Sequence, residues 1–170
     1  MEAHQLKLFQ EITLQYFAKL APGEPPLLEE PFLRFGEPSG AEGGAGQDYT
    51  SLVAIRGEYD GCLYLSAPRT MLRELLALNG EPEVSEPTLR DMCRELSNVL
   101  SGNASQAFGG NWEISVPHTL GAEELRSYPL PPSAFVMPFR WRGARSLLVV
   151  ALAPPDSSST SIPIRGLGDA

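Results

Sequence analysis

The chain has 170 residues, 42% of them hydrophobic, with a formal net charge of −8 and an isoelectric point near 4.8. That length corresponds to one domain and suffices to bury a core. The acidic balance argues against nucleic acid and an anionic membrane surface as partners, since both demand clustered Lys and Arg, and no apolar run approaches the ~20 residues of a membrane span.

The N-terminal sequence MEAHQLKLFQE is charged and amphipathic, unlike a secretory leader. Residues 2–20 place Leu6, Phe9, Ile12, Leu14, Phe17 and Leu20 near helical spacing, which predicts an amphipathic helix stopped by Ala21-Pro22-Gly23. Residues 22–48 are rich in Pro, Gly and Glu. A short strand is expected at 32–35 and a flexible loop at about 37–48. The glycines of that loop do not form a phosphate loop, because no G-K-[ST] and no helix follow.

Residues 49–59 alternate as a strand, with Leu52 and Ala54 on one face and Val53 and Ile55 on the other. Asp60-Gly61 reads as a two-residue hairpin turn, and 62–65 as the returning strand. Residues 69–78 predict a short helix, with Met71, Leu72, Leu75 and Leu76 apolar and Asn79-Gly80 ending it.

The longest predicted helix spans 85–108, with Ser85 as N-cap, Pro87 in the first turn and Gly109-Gly110 beyond its end. At roughly 100° per residue, Leu89, Met92, Cys93, Leu96, Val99, Leu100 and Ala107 share a broad packed side, with Asn103 toward it as a buried, hydrogen-bonded residue. Asp91, Glu95, Asn98 and Gly102 form a narrow stripe on the opposite side. Asn is a poor residue inside a helix, and Gly costs about 1 kcal/mol there relative to Ala. A solvated face selected for stability alone would carry neither. A glycine beside a carboxamide lets another backbone approach.

Downstream, 112–116 predicts a strand, and His118 reads as a loop histidine, since no second His lies nearby to build a metal site. Residues 121–132 read as an irregular connection. Two further strands are expected at 133–141 and 146–152, joined at Arg142-Gly143-Ala144. The densest basic run, 139–145, falls there and reads as solvated strand and turn residues. Cys62 and Cys93 form no C-x2-C and join no His/Cys cluster, so they read as reduced core thiols of a cytoplasmic protein, and no metal or cofactor of its own is expected. Hairpins with segregated helices indicate an α+β two-layer domain over 1–153, with long helices on one face of a mostly antiparallel sheet. From 154 to 170, Pro, Ser, Thr and Gly predict a disordered tail.

D-x3-E-x2-N at Asp91, Glu95 and Asn98, running into LSGNA, resembles the active-site helix of the chemotaxis phosphatase CheX family, whose relatives include CheC and FliY. The strand GCLYLSAP and helix RTMLRELLALNG upstream, and the P-x3-G of Pro117 and Gly121 downstream, extend the resemblance over roughly residues 50–153. One departure is Arg94, where the family often has a small residue. The motif occurs once, so the chain resembles the single-site kind. The resemblance implies a phosphatase that hydrolyses the aspartyl phosphate of a CheY-like response regulator, which supplies the Mg²⁺. It also implies a homodimer whose sheets join, and strand 146–152 is apolar enough to need cover.

In that role Asn98 would orient the attacking water, as a glutamine does in small GTPases. Glu95 would pair with the regulator's lysine. Asp91 would extend docking, and Gly102 would admit the regulator's loop. Two other readings stand beside it. One is a non-catalytic binding or dimerisation module of the same fold. The other makes Asp91 and Glu95 a general acid/base pair, which solvated carboxylates with ordinary pKa values disfavour.

Overall fold

The computed structural model describes residues 3–33, 48–127 and 134–155. Helices α1 (Ala3–Leu20), α2 (Arg69–Leu78), α3 (Glu86–Ala107) and α4 (Ala122–Ser127) accompany eight strands. The strands are β1 (Leu27–Leu28), β2 (Phe32–Leu33), β3 (Tyr49–Gly57), β4 (Asp60–Ala67), β5 (Trp112–Ile114), β6 (His118–Leu120), β7 (Phe135–Trp141) and β8 (Ala144–Ala153). They form one antiparallel sheet in the order β1-β7-β8-β4-β3-β5, with β2 also paired to β7 and β6 to β3. The predicted α+β class holds. Most of the predicted loop, and the tail beyond residue 155, lie outside the described residues.

Period-2 alternation splits the long strands between two apolar layers. Val53, Ile55, Leu63, Leu65, Leu148 and Val150 face α1, α2 and α3, and pack with Phe9, Phe17, Met71, Leu75, Leu96 and Leu100. Leu52, Cys62, Tyr64, Leu147, Val149 and Ala151 point the other way and meet Leu120, Leu125 of α4 and Val136. Both faces of the central strands are buried, which is why β8 reads as an unbroken apolar run.

Strand β8 lies between β4 and β7. The expectation that 146–152 needs a second chain for cover is therefore wrong: its backbone is paired on both sides within the chain. The sheet edges are instead the short strands β1, β2, β5 and β6, a usual way of blunting an edge.

The β3–β4 turn also differs from expectation. Gly61 is paired with Ile55, and the connection is Glu58-Tyr59. Asp60 still helps the turn, since its Oδ1 accepts a hydrogen bond from the Gly57 amide at 3.3 Å. Gly61 is needed further in, because a Cβ there would lie 1.9 Å from the carbonyl oxygen of Ala151 on β8. The β7–β8 turn is Arg142-Gly143, with φ of 48° and 79°, the double left-handed turn that matches strand twist. Ala144 already pairs with Trp141.

The predicted strand 112–116 stops at Ile114. The Ser115 hydroxyl accepts from the Ala54 amide at 2.9 Å, and Pro117 has no N–H to donate. His118 is then the first residue of β6, paired with Leu52, rather than a loop residue. The expected irregular connection after it holds α4.

Cys62 and Cys93 are free, buried and in different apolar layers. Burial pushes both thiols up to about 12 from the ordinary 9.0. Both are expected to resist a disulfide reagent at pH 8 until the protein unfolds. Below pH 9 folded and unfolded chains both hold these protons, so the contribution to stability is full. As pH rises from 9 toward 12 the unfolded chain releases them first, and stability falls. A urea midpoint that does not decline between pH 8 and pH 10.5 would contradict this.

Candidate functional site

Helix α3 is fixed at both ends. The Ser85 hydroxyl accepts from the Thr88 amide at 3.4 Å and the Thr88 hydroxyl accepts from the Ser85 amide at 2.8 Å, a capping box built with Thr in place of Glu. Beyond the helix, Gly109 takes φ of 106°. The Gly110 amide donates to the Ser105 carbonyl at 2.7 Å and the Gly109 amide to Gln106 at 3.2 Å, which closes a Schellman motif.

Its packed side carries Leu89, Met92, Cys93, Leu96 and Leu100, as predicted, and also Ser97, Ser101, Ala104 and Ser105. Val99 is half-buried and Ala107 is exposed, so the wheel reading placed both too deep. The small residues let α3 lie close on β3. The Ser97 hydroxyl is 2.8 Å from that of Ser51 on β3, and both are buried. Ser97 and Ser101 also donate to the carbonyls of Arg94 and Asn98, at 2.9 and 3.0 Å. These contacts fix the rotation of α3 on the sheet, and so the direction in which its outer stripe points. Sequence reasoning missed them, although serine at 97, 101 and 105 is a small-residue stripe at helical spacing.

On the outer side Asp91, Glu95 and Asn98 are exposed and Gly102 is half-exposed, with nothing within 4 Å of where a Cβ would stand. The side chains of Glu95 and Asn98 make no hydrogen bond or ion pair among the described residues. Asp91 differs: Arg94 donates to its carboxylate in an exposed pair one turn apart. Asn103 is half-buried and makes no side-chain hydrogen bond among the described residues, so it is not the buried structural residue expected.

The first part of the stripe, at Asp91 and Glu95, borders two depressions. A hollow of about 190 Å³ lies on the α2 side, lined by Leu76, Asn79, Thr88, Met92 and Glu95. A wider groove of about 700 Å³ lies on the β6 side, lined by Glu86, Arg90, Asp91, Arg94, Pro117 and His118. Tyr16 of α1 also stands near the stripe. Its hydroxyl is pushed up to about 12, first by burial and then by the negative charge of Glu95. Nothing in the sequence spacing links Tyr16 to Glu95, because only the crossing of α1 over α3 brings them together.

Glu86, the first residue of α3, is held by Arg69 and by the Tyr49 hydroxyl, which donates to it at 2.8 Å. These bonds hold its carboxyl below the usual range, the Arg69 bond most. Among the described residues no three His, Cys, Asp or Glu side chains gather as metal ligands, and no helix is long and apolar enough to cross a membrane.

The CheX protein of the CheX–CheY–BeF3–Mg²⁺ complex from Borrelia burgdorferi has 15% identity to the chain and superposes with a TM-score of 0.66, over 87% of this chain and 97% of that one. A CheC-like superfamily protein from Shewanella sp. PV-4 has 17% identity and a TM-score of 0.69, over 90% and 99%. A chemotaxis protein CheX from Desulfovibrio desulfuricans has 16% and 0.67, over 88% and 99%. No curated protein matches the chain. Residues 49–140, from β3 through α3 and the outer stripe into β7, match the model of the family described as chemotaxis phosphatase CheX. The chain carries that family's pattern over more than half its length and folds as its members do, and it belongs to the CheX family.

Proposed function

We propose that this protein hydrolyses the aspartyl phosphate of a CheY-like response regulator, with Asn98 placing the water and Glu95 holding the partner. The observation that carries this reading is the pair Glu95 and Asn98. Both are exposed on a helix locked at each end, and neither side chain is committed elsewhere among the described residues. The family supports the chemistry, and the Borrelia burgdorferi relative is solved with CheY, BeF3 and Mg²⁺.

The substrate is an acyl phosphate. A water oxygen bonds to phosphorus as the bond from phosphorus to the aspartyl oxygen breaks. The aspartate leaves as carboxylate, and the water's protons pass to phosphate and solvent. The transition state is loose, so the work left to the enzyme is placement and charge stabilisation. A carboxamide suits placement, since it both donates to and accepts from water without acting as a strong base. The Mg²⁺ belongs to the partner in this reading, and the site of action is the cytoplasm. Asp91 and Gly102 complete the docking surface, with Gly102 leaving room for an incoming backbone.

The test is phosphate release from phosphorylated CheY with and without this protein. A CheY that loses phosphate at its own rate at saturating protein would leave the non-catalytic binding module standing instead. We also expect a homodimer joined along a sheet edge. Val116, between β5 and β6, is 83% exposed and Leu27 of β1 is 67% exposed, so apolar side chains stand at both edges. Light scattering at micromolar concentration should give twice the chain mass of 18.4 kDa, and a monomer would refute the expectation.

A further inference from the structure

We propose that Arg94 is a phosphoryl-binding residue of this site, released from Asp91 when the phosphorylated receiver docks. The inference rests on the hydrolysis reading above and extends it to the arginine beside Glu95.

Arg94 precedes Asn98 by four residues and Glu95 precedes it by three. On an α-helix both are neighbours of Asn98, with Cβ atoms about 5–6 Å away. Side chains on a helix lean toward its N-terminus, so the Asn98 carboxamide covers the turn that carries Arg94 and Glu95. A water held by Asn98 would therefore have the Glu95 carboxylate on one flank and, once Arg94 leaves Asp91, its guanidinium on the other.

The guanidinium is available. The Arg94 side chain is 45% exposed and that of Asp91 is 62% exposed. An ion pair this wet contributes little, so exchanging it for a better anion costs little. A phosphoryl group is that better anion: it carries more charge than one carboxylate and presents oxygens to which a guanidinium binds through two parallel hydrogen bonds. A docked receiver also expels water, which strengthens the new contact. In a loose transition state the charge lies on the equatorial oxygens, and an arginine placed there speeds other phosphoryl transfers.

The surrounding charges agree. The groove beside the stripe places Arg90, Arg94 and His118 along its walls, in a chain of net charge −8. Its two carboxylates are already matched: Glu86 is bound by Arg69 with Arg90 nearby, and Asp91 is bound by Arg94. Along the groove itself two guanidiniums, Arg90 and Arg94, face two carboxylates, Glu86 and Asp91, so its lining is balanced in formal charge where the chain as a whole is acidic. Asp91 holds Arg94 back toward the start of α3, away from the place where the phosphoryl group would sit.

The experiment compares wild type, Arg94→Ala, Arg94→Lys and, as a control for lost charge, Arg73→Ala on the exposed side of α2. Two quantities are read: single-turnover release of phosphate from CheY across protein concentrations, and affinity for CheY with and without beryllofluoride and Mg²⁺. Arg94→Ala should lower the maximal rate on the order of 10²-fold, the usual loss for one transition-state donor. It should also erase most of the preference for beryllofluoride-loaded CheY. Arg94→Lys should recover only part of both, and Arg73→Ala should match wild type. A changed half-saturation with an unchanged maximal rate would make Arg94 a docking residue, and a faster variant would make it a block on the site; either overturns the proposal. If wild type releases no phosphate, the hydrolysis reading fails. Arg94 binding is then decided by the preference for loaded CheY: its loss in Arg94→Ala upholds the proposal, and its survival overturns it. A wild type with no such preference defeats both.

Discussion

Gly61→Ala is expected to cost about 3–5 kcal/mol, a large part of the stability of an ordinary domain. Two terms add. The residue has φ of 155°, at the margin of what a side chain tolerates, and an added Cβ would stand 1.9 Å from the Ala151 carbonyl oxygen. That oxygen belongs to β8, which is paired on both sides and cannot move without parting from β4 or β7. Relief therefore means breaking the centre of the sheet. Gly102→Ala provides the contrast. It adds a methyl group to open space on a helix, where Ala is favoured by up to about 1 kcal/mol. Thermal melting should separate the two, with a drop of about 10 °C for Gly61→Ala and a small rise for Gly102→Ala. If Gly61→Ala melted with wild type, the close approach of β4 and β8 would be wrong.

Gly102 shows why the outer stripe could be read before the fold was known. No packing demands a glycine there, so its presence is a local anomaly, and Asn98 in the same stripe is another. Local anomalies survive in a single sequence. The three longer helices were legible for a similar reason: their period and caps are contained within one segment, as with Ser85 and Thr88, whereas the six-residue α4 is too short to show a period. The register of Gly61 was not legible. Asp-Gly is a strong turn signal, yet the demand on this glycine comes from Ala151, ninety residues away. Strand β8 misled in the same way, because a run buried on both faces looks like a surface that needs a partner until its neighbours β4 and β7 are known. Tyr16, Ser51 and Ser97 went unread because their significance lies in the crossing of α1 and β3 with α3. The spacing of Ser97, Ser101 and Ser105 marks a small-residue stripe, but it does not say that the stripe meets a second serine on a strand.

Asn98→Ala should abolish most of the hydrolysis rate and leave the fold and docking nearly intact. The side chain is exposed and has no hydrogen bond among the described residues, so its loss removes no native contact. Losing a group that acts in the transition state should lower the maximal rate on the order of 10²-fold, equivalent to about 2.7 kcal/mol. The half-saturating protein concentration should barely change. Glu95→Ala should behave differently. In the proposed complex its carboxylate meets a lysine, so both half-saturation and maximal rate should suffer, with the binding loss larger at low salt to the extent that the pair stays wet. Asp91→Ala should be milder than either. Glu95 also allows a check that needs no partner. Its charge is the second cause of the raised Tyr16 hydroxyl, so Glu95→Gln should lower the alkaline titration of that tyrosine, read from tyrosinate absorbance. An unmoved Tyr16 would mean that Glu95 does not face α1 as described. Single-turnover assays across protein concentrations separate the two roles. Were Asn98→Ala to keep the wild-type maximal rate, the water would be placed by another group, and the mechanism proposed for this chain would be wrong.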